Sequence, residues 1–215
     1  MSRPRPRPAP LYAVADREAL LPRPLPEAVA EMADAGVRWI QVRAKRAAGA
    51  DLYRWVEACV RRLEGAASEL WIDDRADVAA RFPVFGVHVG QDDLPPEAVR
   101  RAVGGGLAIG RSTHDEEQVR AAAADPDVDV VACGPVFATR SKERPDPVVG
   151  LELLRRARAA TDKPLVAIGG IDAGNLAAAL AAGADAVALI GALGGASASA
   201  AEIAGSARAL LAAAA

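Results

Sequence analysis

Cysteine is nearly absent from this chain: Cys59 and Cys133 are the only two. One falls in an expected helix and the other at a strand end. No disulfide framework is therefore expected, and a reducing cytoplasm fits. Aromatic residues make up 4% of the chain, too few for the stacking platforms of single-strand nucleic-acid binding. Charge of either sign is not in excess; the formal net charge is −2, and no basic stripe marks a polyanion partner. No apolar run is long enough to cross a bilayer. Residues 1–10 (MSRPRPRPAP) lack the apolar centre of a secretory signal and are expected to form a mobile Arg/Pro-rich tail. These absences point away from nucleic acid and membrane and toward small molecules, with a homo-oligomer left open.

What is present is alternation. The 215 residues, 52% hydrophobic and 25% charged, suffice for one sizeable domain with its own core. Short apolar runs that read as buried strands recur at Leu11–Asp16, Trp39–Val42, Leu70–Ile72, Val87–Val89, Leu107–Gly110, Val128–Cys133, Leu165–Ile168 and Ala186–Ile190. Helical patterns separate them. Asp51 is expected to cap one helix, and Thr113 with Glu116, and Ser199 with Glu202, have the spacing of capping boxes. Runs such as Leu165-Val166-Ala167-Ile168 are apolar without alternation, as in parallel strands covered on both faces. About eight strand–helix units predict a single TIM (β/α)8 barrel over residues 11–215.

In such a barrel, residues that follow the strands meet at one rim. Asp73-Asp74 follows the third strand and Asp93 the fourth. Each has an ordinary reading as a helix cap. Together they offer hard oxygens at neighbouring strand ends, which suits Mg²⁺. Gln41, Arg43 and Lys45 alternate along the end of the second strand, so period-two geometry puts them on the inner mouth. Ser112 follows the fifth strand, and His114 beyond it is a possible acid/base group or a structural one. The loop Ala138-Thr139-Arg140-Ser141-Lys142-Glu143-Arg144 is long for a strand–helix connection, which favours an active-site lid. Gly169-Gly170 and Ile190-Gly191 close the last two strands, where barrels commonly hold a phosphate through backbone N–H groups.

Read together, QVRAK at 41–45, IDDRADVA at 72–79, GVHVGQDDLP at 86–95, GRSTH at 110–114, GPVFATRSK at 134–142, VAIGGI at 166–171 and AGADAVALIGAL at 182–193 resemble the thiamine phosphate synthase family. That family is a TIM barrel that joins a pyrimidine methyl diphosphate to a thiazole phosphate, releasing pyrophosphate with Mg²⁺. The resemblance implies that Asp74 and Asp93 hold the metal. It implies that Gln41, Arg43, Lys45, Asp73, Ser112 and Lys142 hold the pyrimidine diphosphate, with Arg43, Lys45, Ser112 and Lys142 acting in catalysis. Thr139, Arg140, Ser141, Gly170, Ile190 and Gly191 match the thiazole phosphate positions.

Three departures stand out. Asp73 replaces a usual asparagine, Gly191 a usual serine, and Arg111 a common valine. The resulting Gly-Arg-Ser-x-His is similar to the related thiazole tautomerase group, which would use His114 in proton transfer. That group typically lacks the two carboxylates and the QxRxK pattern. A tautomerase, or a non-catalytic thiazole-phosphate-binding paralogue, is the alternative expectation.

Overall fold

The computed structural model describes residues 3–139, 146–193 and 198–214. The strands are β1 (Leu11–Asp16), β2 (Trp39–Arg43), β3 (Glu69–Asp73), β4 (Gly86–Val89), β5 (Ala108–Thr113), β6 (Val130–Cys133), β7 (Leu165–Ile168) and β8 (Ala186–Leu189). They pair in parallel and in sequence order, and β1 closes on β8, so the expected TIM barrel is borne out. Around it lie α1 (Arg17–Leu20), α2 (Leu25–Asp34), α3 (Gly49–Arg62), α4 (Ala76–Ala79), α5 (Pro96–Val103), α6 (Glu116–Ala124), α7 (Gly150–Ala160), α8 (Leu176–Ala181) and α9 (Ala200–Ala213). Among the described residues, no helix is long and apolar enough to cross a membrane.

Strand alternation divides the core in two. Outward side chains such as Ile40, Ile72, Ile109 and Leu165 pack under the helices. Inward ones fill the barrel: Tyr12, Trp39 and Trp71 from one half meet Ala108, Ala132, Ala186 and Ala188 from the other. Two of the three tryptophans thus fill the barrel interior. Trp39 and Trp71 stand 5.4 Å apart and tilted, and Tyr12 meets Trp39 edge-on at 5.5 Å. Such pairs add about 0.5–1.5 kcal/mol each beyond burial. Higher in the barrel His88 points inward over Gly110, where a Cβ would lie 2.4 Å from its Nδ1. Bulk on β4 therefore requires its absence on β5.

The N-terminal rim is tied by ion pairs. Asp129, one residue before β6, accepts from the Ile109 N–H of β5 (2.8 Å) and from Arg100 (2.9 Å). Asp185, before β8, does the same for the Leu165 N–H of β7 (2.8 Å) and Arg158 (2.9 Å). Residues 3–10 form no helix or strand, and Arg3 reaches Asp129 (2.6 Å) and the Pro126 carbonyl (2.5 Å).

Several local expectations are corrected. Asp51 does not cap α3: Ala48 holds that position without a side-chain bond, and Asp51 sits in the first turn. Thr113 caps nothing. Pairing with β6 extends β5 from the expected Gly110 to Thr113, whose buried Oγ1 donates to the Ala132 carbonyl (2.9 Å). The cap of α6 lies two residues further on, at Asp115, and is not a capping box. Asp115 accepts from the Gln118 N–H, and the Gln118 side chain accepts from the His114 N–H, both at 2.8 Å. The box of Ser199 and Glu202 on α9 is present as expected. Cys59 and Cys133 are free and buried.

Candidate active site

The C-terminal ends of β1 to β5 carry a connected set of charges. Asp16, the last residue of β1, is the register partner of Arg43 on β2. Its Oδ1 caps α1 by accepting the Ala19 N–H (2.9 Å), and its Oδ2 accepts from Arg43 Nη1. Arg43 Nε also stands 3.6 Å from Asp73 Oδ2, and Lys45 Nζ stands 3.4 Å from the same oxygen. Lys45 further donates to Asp74 Oδ2. Gln41 points inward as expected but lies deeper. It is buried, and its amide donates to the Tyr12 hydroxyl (2.9 Å), so it faces the barrel interior below the mouth.

Asp74 and Asp93 are not helix caps. Arg75 precedes α4 and Pro95 precedes α5 as their cap residues. Asp74 has φ +60°, the one non-glycine residue with positive φ among those described. That conformation costs roughly 1 kcal/mol for a residue with a Cβ. It turns the carboxylate back over the rim while the Asp74 N–H bonds the His88 carbonyl (2.8 Å). Asp93 Oδ2 accepts from the Gly90 N–H (2.8 Å).

The electrostatics follow from this crowding. Burial, and then the charge of Asp74, push Asp73 up to about 7 against the pull of Lys45 and Arg43. Burial and a hydrogen bond to Asp93 raise Asp74. Burial also acts to raise Asp93, but the Gly90 N–H and Asp74 outweigh it and hold Asp93 below the ordinary value. For Lys45, burial favours the neutral amine, yet Asp73 and Asp74 outweigh it and raise its pKa. Two carboxyl groups in hydrogen-bond contact share a proton unless a cation stands between them. Asp74 and Asp93 therefore suit a hard divalent ion. Among the described residues no group of three His, Cys, Asp or Glu side chains could hold a metal. Mg²⁺ typically uses one or two carboxylates and fills its shell with water and phosphate oxygens.

Ser112 at the end of β5 faces inward, with its hydroxyl 2.9 Å from His88 Nε2. His88 was not singled out from sequence, because a histidine inside an apolar strand run carries no signal of what lies beneath it. Asp16 and Gln91 were missed likewise. His114 has Nδ1 at 2.6 Å from the Gly134 carbonyl and Nε2 at 3.6 Å from Asp146, contacts that brace the start of α6.

Beyond β6 the rim changes character. Thr139, Gly170, Ile190 and Gly191 line one open cleft of about 410 Å³ with Ile168 and Ala188. Gly170 has φ +63°, and a Cβ there would lie 2.3 Å from the Ala138 carbonyl oxygen. Asn175 donates to the Gly170 carbonyl (2.9 Å) and accepts the Asp172 N–H (2.9 Å), fixing the loop after β7. Arg140, Ser141 and Lys142 lie outside the described residues.

The profile of the thiamine monophosphate synthase family matches residues 11–193. A thiamine-phosphate synthase of Koribacter versatilis is 44% identical over 184 residues, covering 84% of this chain and 86% of that one. Another, of Methanoculleus marisnigri, is 42% identical over 186 residues, covering 86% and 87%. The solved thiamine phosphate pyrophosphorylase of Pyrococcus furiosus superposes with TM-score 0.83 at 30% identity, over 95% of each chain. With that fold, this rim and these relatives, the chain belongs to the thiamine monophosphate synthase family.

Proposed function

We propose that the chain is a thiamine phosphate synthase, condensing a pyrimidine methyl diphosphate with a thiazole phosphate and releasing pyrophosphate. One observation carries this reading on the structural side. Two cations and three carboxylates meet at the β2–β4 rim, and a separate glycine-lined cleft opens at β7–β8. The first suits a diphosphate with a divalent ion, and the second a monophosphate held by backbone.

The reaction is a substitution at the pyrimidine CH₂. The C–O bond to the diphosphate breaks with its electron pair leaving on pyrophosphate, and the thiazole nitrogen lone pair forms the new C–N bond. The aminopyrimidine stabilises positive charge on that carbon, so the protein's main task is to receive the leaving group. Arg43 and Lys45 supply fixed positive charge there, held by Asp16, Asp73 and Asp74. Ser112, oriented by His88, offers a hydroxyl to the diphosphate or pyrimidine. Gln41, braced by Tyr12, would contact the buried end of the pyrimidine site. Asp74 and Asp93 would hold Mg²⁺, whose charge when bound would stabilise the departing pyrophosphate. Thr139, Gly170, Ile190 and Gly191 would hold the thiazole phosphate, placing its nitrogen toward the CH₂. Lys142 with Arg140 and Ser141 enters this reading through the sequence resemblance alone. The buried thiols Cys59 and Cys133 are both pushed up to about 12 by burial, so neither is a nucleophile in this reading.

Incubation with both substrates tests the reading. Mg²⁺-dependent release of one pyrophosphate per thiamine phosphate is the expected outcome. Metal-independent isomerisation of the thiazole, with no pyrophosphate released, would replace it with the tautomerase reading.

A further inference from the structure

Arg111 stands on the outer face of β5, directly across from Val89 of β4. A guanidinium on the helix-facing side of a strand needs partners, because an unpaired charge is costly there. Among the described residues its hydrogen-bond partners lie in the turn after β4, while the Asp125 carboxylate at the end of α6 acts on it through charge alone. Nη1 donates to the Gly90 carbonyl (2.7 Å) and Nη2 to the Gln91 side-chain oxygen (3.3 Å). The Gln91 amide in turn donates to the Ser112 carbonyl (2.5 Å).

Gly90 is the hub of this turn. Its N–H holds Asp93 Oδ2 at 2.8 Å, and its carbonyl also accepts the Asp93 N–H at 3.4 Å. The second bond is long, so the turn is weakly closed by its own backbone. The bond from Arg111 is shorter and charge-assisted, and such bonds are roughly twice as strong as neutral ones. We propose that Arg111 is a positioning residue for the metal-binding turn: through Gly90 it aims the Asp93 carboxylate, and through Gln91 it ties that turn to the backbone of Ser112. Arg111 touches no reacting atom; it acts from behind the strand. The proposal rests on the assignment of Asp93 to a divalent-ion site made above.

The test uses Mn²⁺ titration in the presence of inorganic pyrophosphate, read by electron paramagnetic resonance, beside steady-state kinetics. Arg111→Met keeps an unbranched stem out to about the position of Nε and removes the guanidinium with its donors and charge. It is expected to weaken Mn²⁺ binding roughly 10-fold, as loss of an outer-shell support typically does. The half-saturating Mg²⁺ concentration for pyrophosphate release should rise similarly. The Michaelis constant for thiazole phosphate should stay unchanged, because that cleft belongs to β7 and β8. Arg111→Lys retains one donor and should recover part of the affinity. If Arg111→Met does not fold, Arg111→Lys and Gln91→Leu decide, each with a smaller loss expected. Unchanged Mn²⁺ affinity in the folded variants would overturn the proposal. So would an equal loss in thiazole phosphate affinity, which would signal general loosening, or a parent protein that binds no Mn²⁺ under these conditions. A parent whose Mn²⁺ affinity depends on Arg111 yet which releases no pyrophosphate would overturn the function and leave the positioning role standing.

Discussion

Asp16 and Arg43 are neighbours across β1 and β2, and one carboxylate serves both the helix that follows β1 and the guanidinium at the barrel mouth. Asp16→Asn keeps an oxygen for the Ala19 N–H and loses the charge that holds Arg43. Melting should change little, while kcat/KM for the pyrimidine diphosphate should fall by about tenfold, the cost of one charged hydrogen bond near 1.5 kcal/mol. Asp16→Ala should lose the cap as well, about 1 kcal/mol of stability. Unchanged kinetics in Asp16→Asn would show that Arg43 holds its place without Asp16.

Asp74→Asn and Asp93→Asn should each cut turnover by a hundredfold or more, because metal stabilisation of a leaving group is worth several kcal/mol. Asp74→Asn should fold normally, since asparagine tolerates positive φ. Two variants with ordinary Mg²⁺-dependent rates would move the metal site elsewhere.

Asp73 engages both Arg43 (3.6 Å) and Lys45 (3.4 Å), while the adjacent Arg75 is turned outward to Asp77 (2.7 Å). Asp73→Asn should remove a negative charge beside the diphosphate and loosen the hold on both rim cations, which keep Asp16 and Asp74 as partners. Repulsion between unit charges about 4 Å apart is roughly 1 kcal/mol in water and about 4 at a shielded site. A several-fold lower Michaelis constant for the pyrimidine diphosphate, or a lower Mg²⁺ requirement, is the expected result. Titrating Mg²⁺ against both forms at fixed substrate checks it; an inactive variant would make Asp73 a ligand in its own right.

Gly170→Ala should fail at the thiazole side. Positive φ and a Cβ 2.3 Å from the Ala138 oxygen together cost at least roughly 1–3 kcal/mol, and the loop must shift to relieve them. A higher Michaelis constant for thiazole phosphate with an unchanged one for the pyrimidine diphosphate would locate the subsite. Equal effects on both substrates would count against two separate subsites.

Thr113→Val tests the corrected reading of β5. The variant loses the bond to the Ala132 carbonyl and should cost about 1 kcal/mol in denaturant unfolding with activity intact. Asp115→Ala should cost about the same through the α6 cap. A neutral Thr113→Val would show that the bond to Ala132 contributes nothing, and a loss accompanied by fraying of the first turn of α6 would make Thr113 a cap after all.

The sequence by itself determined the repeating architecture. Unbroken apolar runs such as Leu165–Ile168 and the helical patterns between them follow from burial on both faces of a parallel strand, a local and periodic demand. It also carried the motifs at Asp73-Asp74, Asp93, Gln41–Lys45, Gly170 and Ile190-Gly191. Tertiary structure alone decided which polar groups meet. Asp129 and Asp185 sit beside strands just as Asp74 and Asp93 do, yet the former tie the N-terminal rim and the latter converge at the other. The length of β5 was hidden for a related reason. Arg111-Ser112-Thr113 is polar and reads as a loop, but pairing with β6 supplies the hydrogen bonds that make it strand. His88 over Gly110, Asp16 on Arg43 and Arg111 behind Gly90 join residues 20 or more positions apart. Such contacts are set by register and barrel closure, which no local pattern encodes.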